Sequence, residues 1–149
     1  MRIWKPNVTV AAVVEQDGRF LCVEEETTEG VRFNQPAGHL EEGESLVVAC
    51  VREALEETAY AFTPTELVGI YQWPRPQGDI TYLRFAFTGK VDGHDTLRQL
   101  DDGILRAVWM TPAELAACVE RHRSPLVMQC VQDYLAGRRY PLDLIRHYP

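Results

Sequence analysis

A mixed α/β fold is predicted by three observations. Short β-prone runs alternate with Gly- and Pro-bearing turns along most of the chain. One long segment, Ser45 to Thr58, contains no Gly or Pro and repeats its apolar residues at helical spacing. Two more helical stretches begin at Thr111 and near Ser124. The expected architecture is a sheet of strands joined mostly by hairpins, with a few helices packed on its faces.

The elements follow in order. Val8-Thr9-Val10-Ala11-Ala12-Val13-Val14 and Phe20-Leu21-Cys22-Val23 read as strands. Asp17-Gly18 between them is a two-residue hairpin signal, because such turns need positive φ. Phe33-Asn34-Gln35-Pro36-Ala37-Gly38 reads as a strand running into a loop. In the Ser45–Thr58 helix, Leu46, Val47, Cys50, Val51, Ala54 and Leu55 form the apolar stripe. Glu41, Glu42 and Glu44 precede it, where negative charge suits the positive end of the helix dipole. Leu67–Trp73 and Ile80–Phe87 are strands flanking the loop Pro74–Asp79, and Ile104–Trp109 is a last strand. Thr111-Pro112-Ala113-Glu114 supplies a cap residue, a proline at the first helical position and an acid in the first turn. A final helix is expected from about Ser124 to Leu135, stopping at Gly137.

With 149 residues the chain suits one domain, 1–149, with no repeat or long linker. Fifteen Lys and Arg against 22 Asp and Glu leave a net charge of −7. That balance opposes nucleic-acid binding, which depends on cationic surface, and a polyanionic substrate would need metal cations to mediate the encounter. The four cysteines, Cys22, Cys50, Cys118 and Cys130, have no zinc-site or disulfide-frame spacing, so reduced thiols in a core are expected. No run approaches the roughly 18 apolar residues of a membrane span, and a cytoplasmic, membrane-free protein is expected.

The chemistry concentrates around the first helix. At about 100° per residue, Glu53, Glu56 and Glu57 share an arc of roughly 100°. Three carboxylates so close repel one another unless a cation lies between them. Oxygen-only donor sets of this kind suit Mg²⁺ or Mn²⁺. Arg52 can hold a carboxylate oxygen by hydrogen bond and offset part of the charge.

The segment from Gly38 to Tyr60 resembles the box of the Nudix family: Gly, five residues, Glu, seven residues, then Arg-Glu-apolar-x-Glu-Glu-x-Gly-apolar. Gly38, Glu44, Arg52, Glu53, Glu56 and Glu57 match, and Ala54 and Tyr60 match loosely. Ala59 stands where the family has Gly, from which an altered helix end rather than lost chemistry is expected. Outside the box, Pro6–Ala11, Phe33–Glu41, Gln72-Trp73, Leu83–Phe85, Arg123–Val127 and Gly137–Leu142 resemble a bacterial phosphatase subgroup of that family.

The resemblance implies an α/β/α sandwich with a mixed sheet and the box as a loop and helix over 38–60. It implies that Glu53, Glu56 and Glu57 carry Mg²⁺, with Mn²⁺ possible in its place, and that the Gly38 carbonyl is a backbone ligand. Glu53, Arg52 and Glu57 are the implied catalytic residues, and Glu44 supports them through Arg52 or a bridging water. The general base is Glu53 first, then Asp101 or Asp102, although Asp101-Asp102-Gly103 also reads as a solvated turn. His39, Trp73 and Arg84 are candidates for substrate contact, and Tyr71 and Phe33 are further candidates for stacking, Phe33 being the better core residue. The implied reaction is metal-dependent hydrolysis of phosphoanhydride bonds in nucleoside tri- and diphosphates and in pyrimidine diphosphates such as hydroxymethylpyrimidine diphosphate or thiamine diphosphate. Hydrolysis of ADP-ribose or oxidised nucleotides, and a non-catalytic nucleotide sensor, stand as alternatives. The expected partner is this small molecule, with monomer and homodimer both open.

Overall fold

A computed structural model describes residues 1–149. Strands β1 (Asn7–Val13), β2 (Glu15–Gln16), β3 (Arg19–Thr27), β4 (Gly30–Asn34) and β5 (Ala37–His39) precede helix α1 (Leu46–Thr58). The long strands β6 (Ala61–Pro74) and β7 (Thr81–Asp92) follow, then β8 (Ile104–Met110) and helix α2 (Pro112–Ala116). Helix α3 (Leu126–Leu135) and the short strand β9 (Tyr140–Pro141) end the regular structure. A mixed sheet runs β5-β1-β7-β6-β9, with β1 and β7 parallel and the other pairs antiparallel. A second, antiparallel sheet centres on β3, which pairs with β2, β4 and β8.

Alternation along β1 divides the core in two. Val10 and Ala12 join Leu67, Phe87 and the α1 residues Ala49, Cys50 and Ala54. Ala11 and Val13 join Val68, Ala86 and the α3 residues Cys130 and Val131 on the other face. Helices therefore cover both faces of the mixed sheet, in the expected sandwich. All four cysteines are free thiols; Cys22, Cys50 and Cys130 are buried as expected, whereas Cys118 is only half-buried. No helix is long and apolar enough to cross a membrane.

Local signals and structure agree at the caps and the first turn. Ser45 caps α1, its Oγ accepting from the Val48 N–H at 3.1 Å, and Thr111 with Glu114 closes a capping box on α2. Asp17 and Gly18 both take positive φ in the β2–β3 turn. Strands β6 and β7 are longer than the expected Leu67–Trp73 and Ile80–Phe87. Pro64 hid the start of β6; its missing N–H is tolerated because β9 covers β6 only at Glu66 and Leu67. Opposite Pro64 lies Gly89, where an added Cβ would sit 2.0 Å from the Thr63 carbonyl oxygen. Gly89→Ala is expected to cost about 2 kcal/mol of stability because backbone must move to admit the methyl. A shift in the urea midpoint measures it, and an unchanged midpoint would contradict it.

Candidate active site

A cavity of about 1000 Å³ opens beside α1, and its wall includes Gly38, His39, Glu53 and Glu57. Strand register builds its floor. Thr9 pairs with His39 on one side and Arg84 on the other, and Arg84 pairs with Tyr71. Two residues nearer the tip of the β6–β7 hairpin, Tyr82 pairs with Asn7 and Trp73. Because side chains alternate with period two, Arg84 and Tyr82 share one face.

Arg52 organises the acids of the box. Its Nε and Nη2 donate to the two oxygens of Glu44 at 2.9 and 2.7 Å, and its Nη1 donates to Glu53 at 2.8 Å and Glu56 at 3.2 Å. Nη2 also donates to the His39 carbonyl at 3.1 Å, tying α1 to β5. This forked grip uses the planar guanidinium in a way that a lysine cannot copy. The Arg52 hydrogen bonds hold the Glu44 carboxyl below the usual carboxylate range, whereas burial pushes Glu53 up. Gly38 has no side chain where Glu53 needs room: a Cβ there would lie 2.1 Å from the Glu53 carboxyl carbon.

Glu57 is set differently. Its Oε1 accepts from the Ala37 N–H at 2.9 Å, and its side chain is buried. Burial pushes its carboxyl up to about 9. Near neutral pH without a cation this group therefore holds its proton, and a divalent ion would compete for the same oxygens.

Asp101 completes the cluster through the end of α1. Ala59 takes a left-handed conformation at φ 65°, closing the helix where the family pattern has Gly. That conformation costs a non-glycine residue about 1 kcal/mol or more; the Ala59 N–H bonds to the Leu55 carbonyl and its methyl is fully buried, which offset the cost. The helix end then leaves carbonyls free. The loop before β8 satisfies them: the Asp95 N–H donates to Ala59 at 3.0 Å and the Asp101 N–H to Glu56 at 3.0 Å. One carboxylate oxygen each from Glu53, Glu56 and Asp101 then lies within 4.8 Å of the others. This all-oxygen set fits a hard divalent cation.

The remaining sequence candidates separate. His39 keeps an exposed side chain on the cavity wall, and Trp73 and Arg84 also line the cavity. Asp102 is exposed on the turn and outside the three-carboxylate group. Tyr71 stands apart from the cavity lining: its hydroxyl donates to Asp133 at 2.7 Å and its ring packs against the core on the α3 face. Phe33 is buried beneath the Arg121 guanidinium, 4.4 Å from the ring centre.

Three cavity residues escaped the sequence reading. Glu25 lies 3.3 Å from Arg123 and is pushed up by burial. Its signal was available, since Glu24-Glu25-Glu26 inside a strand opposes β propensity. His122 has no such signal; its Nε2 stands 2.9 Å from the Leu115 carbonyl while its buried Nδ1 has no partner. Tyr82 looked like one more strand aromatic.

Comparison with known proteins gives concordant results. The model of the NUDIX domain family matches residues 4–130. Phosphatase NudJ of Escherichia coli K12 is 38% identical over 143 residues, covering 96% of this chain and 92% of that protein. A NUDIX hydrolase structure from Nitrosomonas europaea superposes with a TM-score of 0.94 at 54% identity, covering 97% of this chain and 98% of the other. A MutT NUDIX hydrolase from Burkholderia pseudomallei has the same fold, with a TM-score of 0.74 at 17% identity over 87% of this chain and 98% of its own.

Proposed function

This chain belongs to the Nudix family of hydrolases acting on phosphorus-containing anhydrides, and from that premise we propose that it is a metal-dependent phosphatase of nucleoside di- and triphosphates and of pyrimidine diphosphates such as hydroxymethylpyrimidine diphosphate. The observation that carries the reading is the grouping of Glu53, Glu56 and Asp101 oxygens beside a cavity large enough for a nucleotide. The likeness to phosphatase NudJ supports release of orthophosphate.

Glu53, Glu56, Glu57 and Asp101 would hold Mg²⁺ or Mn²⁺, with the Gly38 carbonyl beside them. Such an ion supplies neutralisation of the diphosphate oxygens and acidification of bound water. The chain's own groups do the rest. Glu53 is the first candidate to take the proton of the attacking water, and Asp101 is the second. Glu44 fixes Arg52, and Arg52 in turn restrains Glu53 and Glu56. Water forms the new bond to phosphorus, the anhydride P–O bond breaks, and the leaving phosphate or nucleotide departs with the electron pair.

The test is a turnover panel in Mg²⁺, in Mn²⁺ and in chelator, with orthophosphate and pyrophosphate detected separately. Metal-dependent orthophosphate release from nucleoside di- or triphosphates, or from hydroxymethylpyrimidine diphosphate, is the expected result. No turnover across the panel with metal supplied would reject the reading. Selective cleavage of ADP-ribose or an oxidised nucleotide would replace phosphatase by pyrophosphatase.

A further inference from the structure

We propose that the sheet floor between the carboxylates and the β6–β7 hairpin tip is a two-part subsite, in which Arg84 takes an anionic group of the substrate and the Trp73–Tyr82 pair takes a flat heterocyclic ring. The proposal rests on the hydrolase reading above and adds to it the residues that select the substrate.

Arg84 is a buried cation without a carboxylate partner. It is 6% exposed, and its fork donates only to neutral atoms: Gln35 Oε1 at 2.9 Å, Asn34 Oδ1 at 3.0 Å and, weakly, the Cys130 thiol at 3.8 Å. Glu25, which shares the cavity wall, forms its ion pair with Arg123 instead. A guanidinium kept from water normally faces an anion, and its planar fork suits phosphate oxygens. The amides that aim it are themselves held. Gln35 is buried and donates from Nε2 to the Val127 carbonyl at 2.7 Å, so Asn34 and Gln35 are positioning residues for Arg84.

The aromatic pair lies one step further along the same face, about 7 Å away by strand rise. Trp73 and Tyr82 stand opposite each other, their rings 6.1 Å apart and within 16° of parallel. Neither ring belongs to either apolar core, and both residues line the cavity. Half-buried aromatic faces at the wall of a cavity offer stacking area to any flat ring. A phosphate on Arg84 and a ring on this pair match a heterocycle joined to its phosphates through a short linker. A ring-free polyphosphate would use only the first part.

Calorimetry on the full chain in saturating Mg²⁺ tests this with two non-hydrolysable probes, α,β-methylene adenosine diphosphate and methylenediphosphonate. The parent is expected to bind the nucleotide analogue at least about 10-fold more tightly. Trp73→Ala should erase most of that preference and leave methylenediphosphonate binding unchanged. Arg84→Lys, with its fold checked by thermal melting, should weaken both probes because the fork is lost. Equal affinity of the two probes for the parent, equal weakening of both by Trp73→Ala, or unchanged binding in Arg84→Lys would overturn the proposal. If neither probe binds the parent, the subsite is overturned even where the turnover panel succeeds; failure of the panel itself is read independently of both probes.

Discussion

Glu57→Gln is expected to lower magnesium-dependent turnover by about a thousandfold, on the order of 4 kcal/mol of barrier, while making the metal-free protein more stable at alkaline pH. Both effects come from one buried carboxylate. The amide retains an oxygen to accept from the Ala37 N–H but removes the charge that a divalent ion would meet. In the unfolded chain a glutamate titrates near pH 4.3, as is usual; in the folded, metal-free chain burial pushes Glu57 up to about 9. The folded state therefore binds the extra proton between these values. Its contribution to stability is complete below the ordinary carboxylate value and is lost as pH rises through about 9. In chelator, the parent's melting temperature should accordingly fall across this window, and the variant's should fall less. Melts taken in steps over that range, paired with phosphate-release rates, check both halves. A parent with a flat profile, or a variant with parental turnover, would contradict the account.

Gly38→Ala is expected to reduce turnover by roughly a hundredfold or more with little loss of stability. The added methyl would meet the Glu53 carboxylate, at 2.1 Å from its carbon and 2.2 and 2.4 Å from its oxygens. A glutamate head can swing aside, so the fold survives, but Arg52 then loses the oxygen that it holds at 2.8 Å. The carboxylate also leaves the group that it forms with Glu56 and Asp101. Gly89→Ala provides the contrast, because there the obstruction is the Thr63 backbone and the damage falls on stability. A Gly38→Ala protein with normal kcat/KM would show that Gly38 is not shaping the Glu53 site, and one that fails to fold would contradict the claim that a movable side chain is the only obstruction.

Magnesium should also protect the parent but not these two variants. At a concentration 100 times the dissociation constant, a ligand that binds only the folded state adds about 2.7 kcal/mol. A thermal shift of the same size in parent and in Glu57→Gln would contradict the role given to that carboxylate.

Much of the first helix and its flanks was legible because the signals are local. Ser45 caps a helix with a hydroxyl three residues before the N–H that it bonds. Asp17 and Gly18 accept the positive φ of a tight turn. The spacing of Arg52, Glu53, Glu56 and Glu57 places them on one helix without reference to any distant residue. The β-prone run Val8–Val14 also marked β1 as a strand. The boundaries of β6 and β7 were less legible, since Pro64 breaks the pattern and is accommodated only by Gly89 and a bulge across the ladder.

Helical angles bring Glu53, Glu56 and Glu57 to one arc, and the fold adds to them: the Ala37 amide holds one oxygen of Glu57, and Asp101 comes beside Glu53 and Glu56. Asp101 looked like half of a solvated turn because its role depends on a carbonyl 45 positions earlier in the chain. Trp73, Tyr82 and Arg84 likewise acquire a common face only through the pairing of β6, β7 and β1.

The chain by itself determined which residues carry charge, where α1 starts, and that oxygen ligands crowd one side of it, for these follow from short-range sterics and hydrogen bonds. Only the tertiary structure decided which acids meet, that Arg84 is buried with no carboxylate in ion-pair distance, and where the aromatic pair stands. Those outcomes depend on strand register and on the unsatisfied carbonyls at a helix end, and contacts between residues far apart in sequence leave no periodic trace.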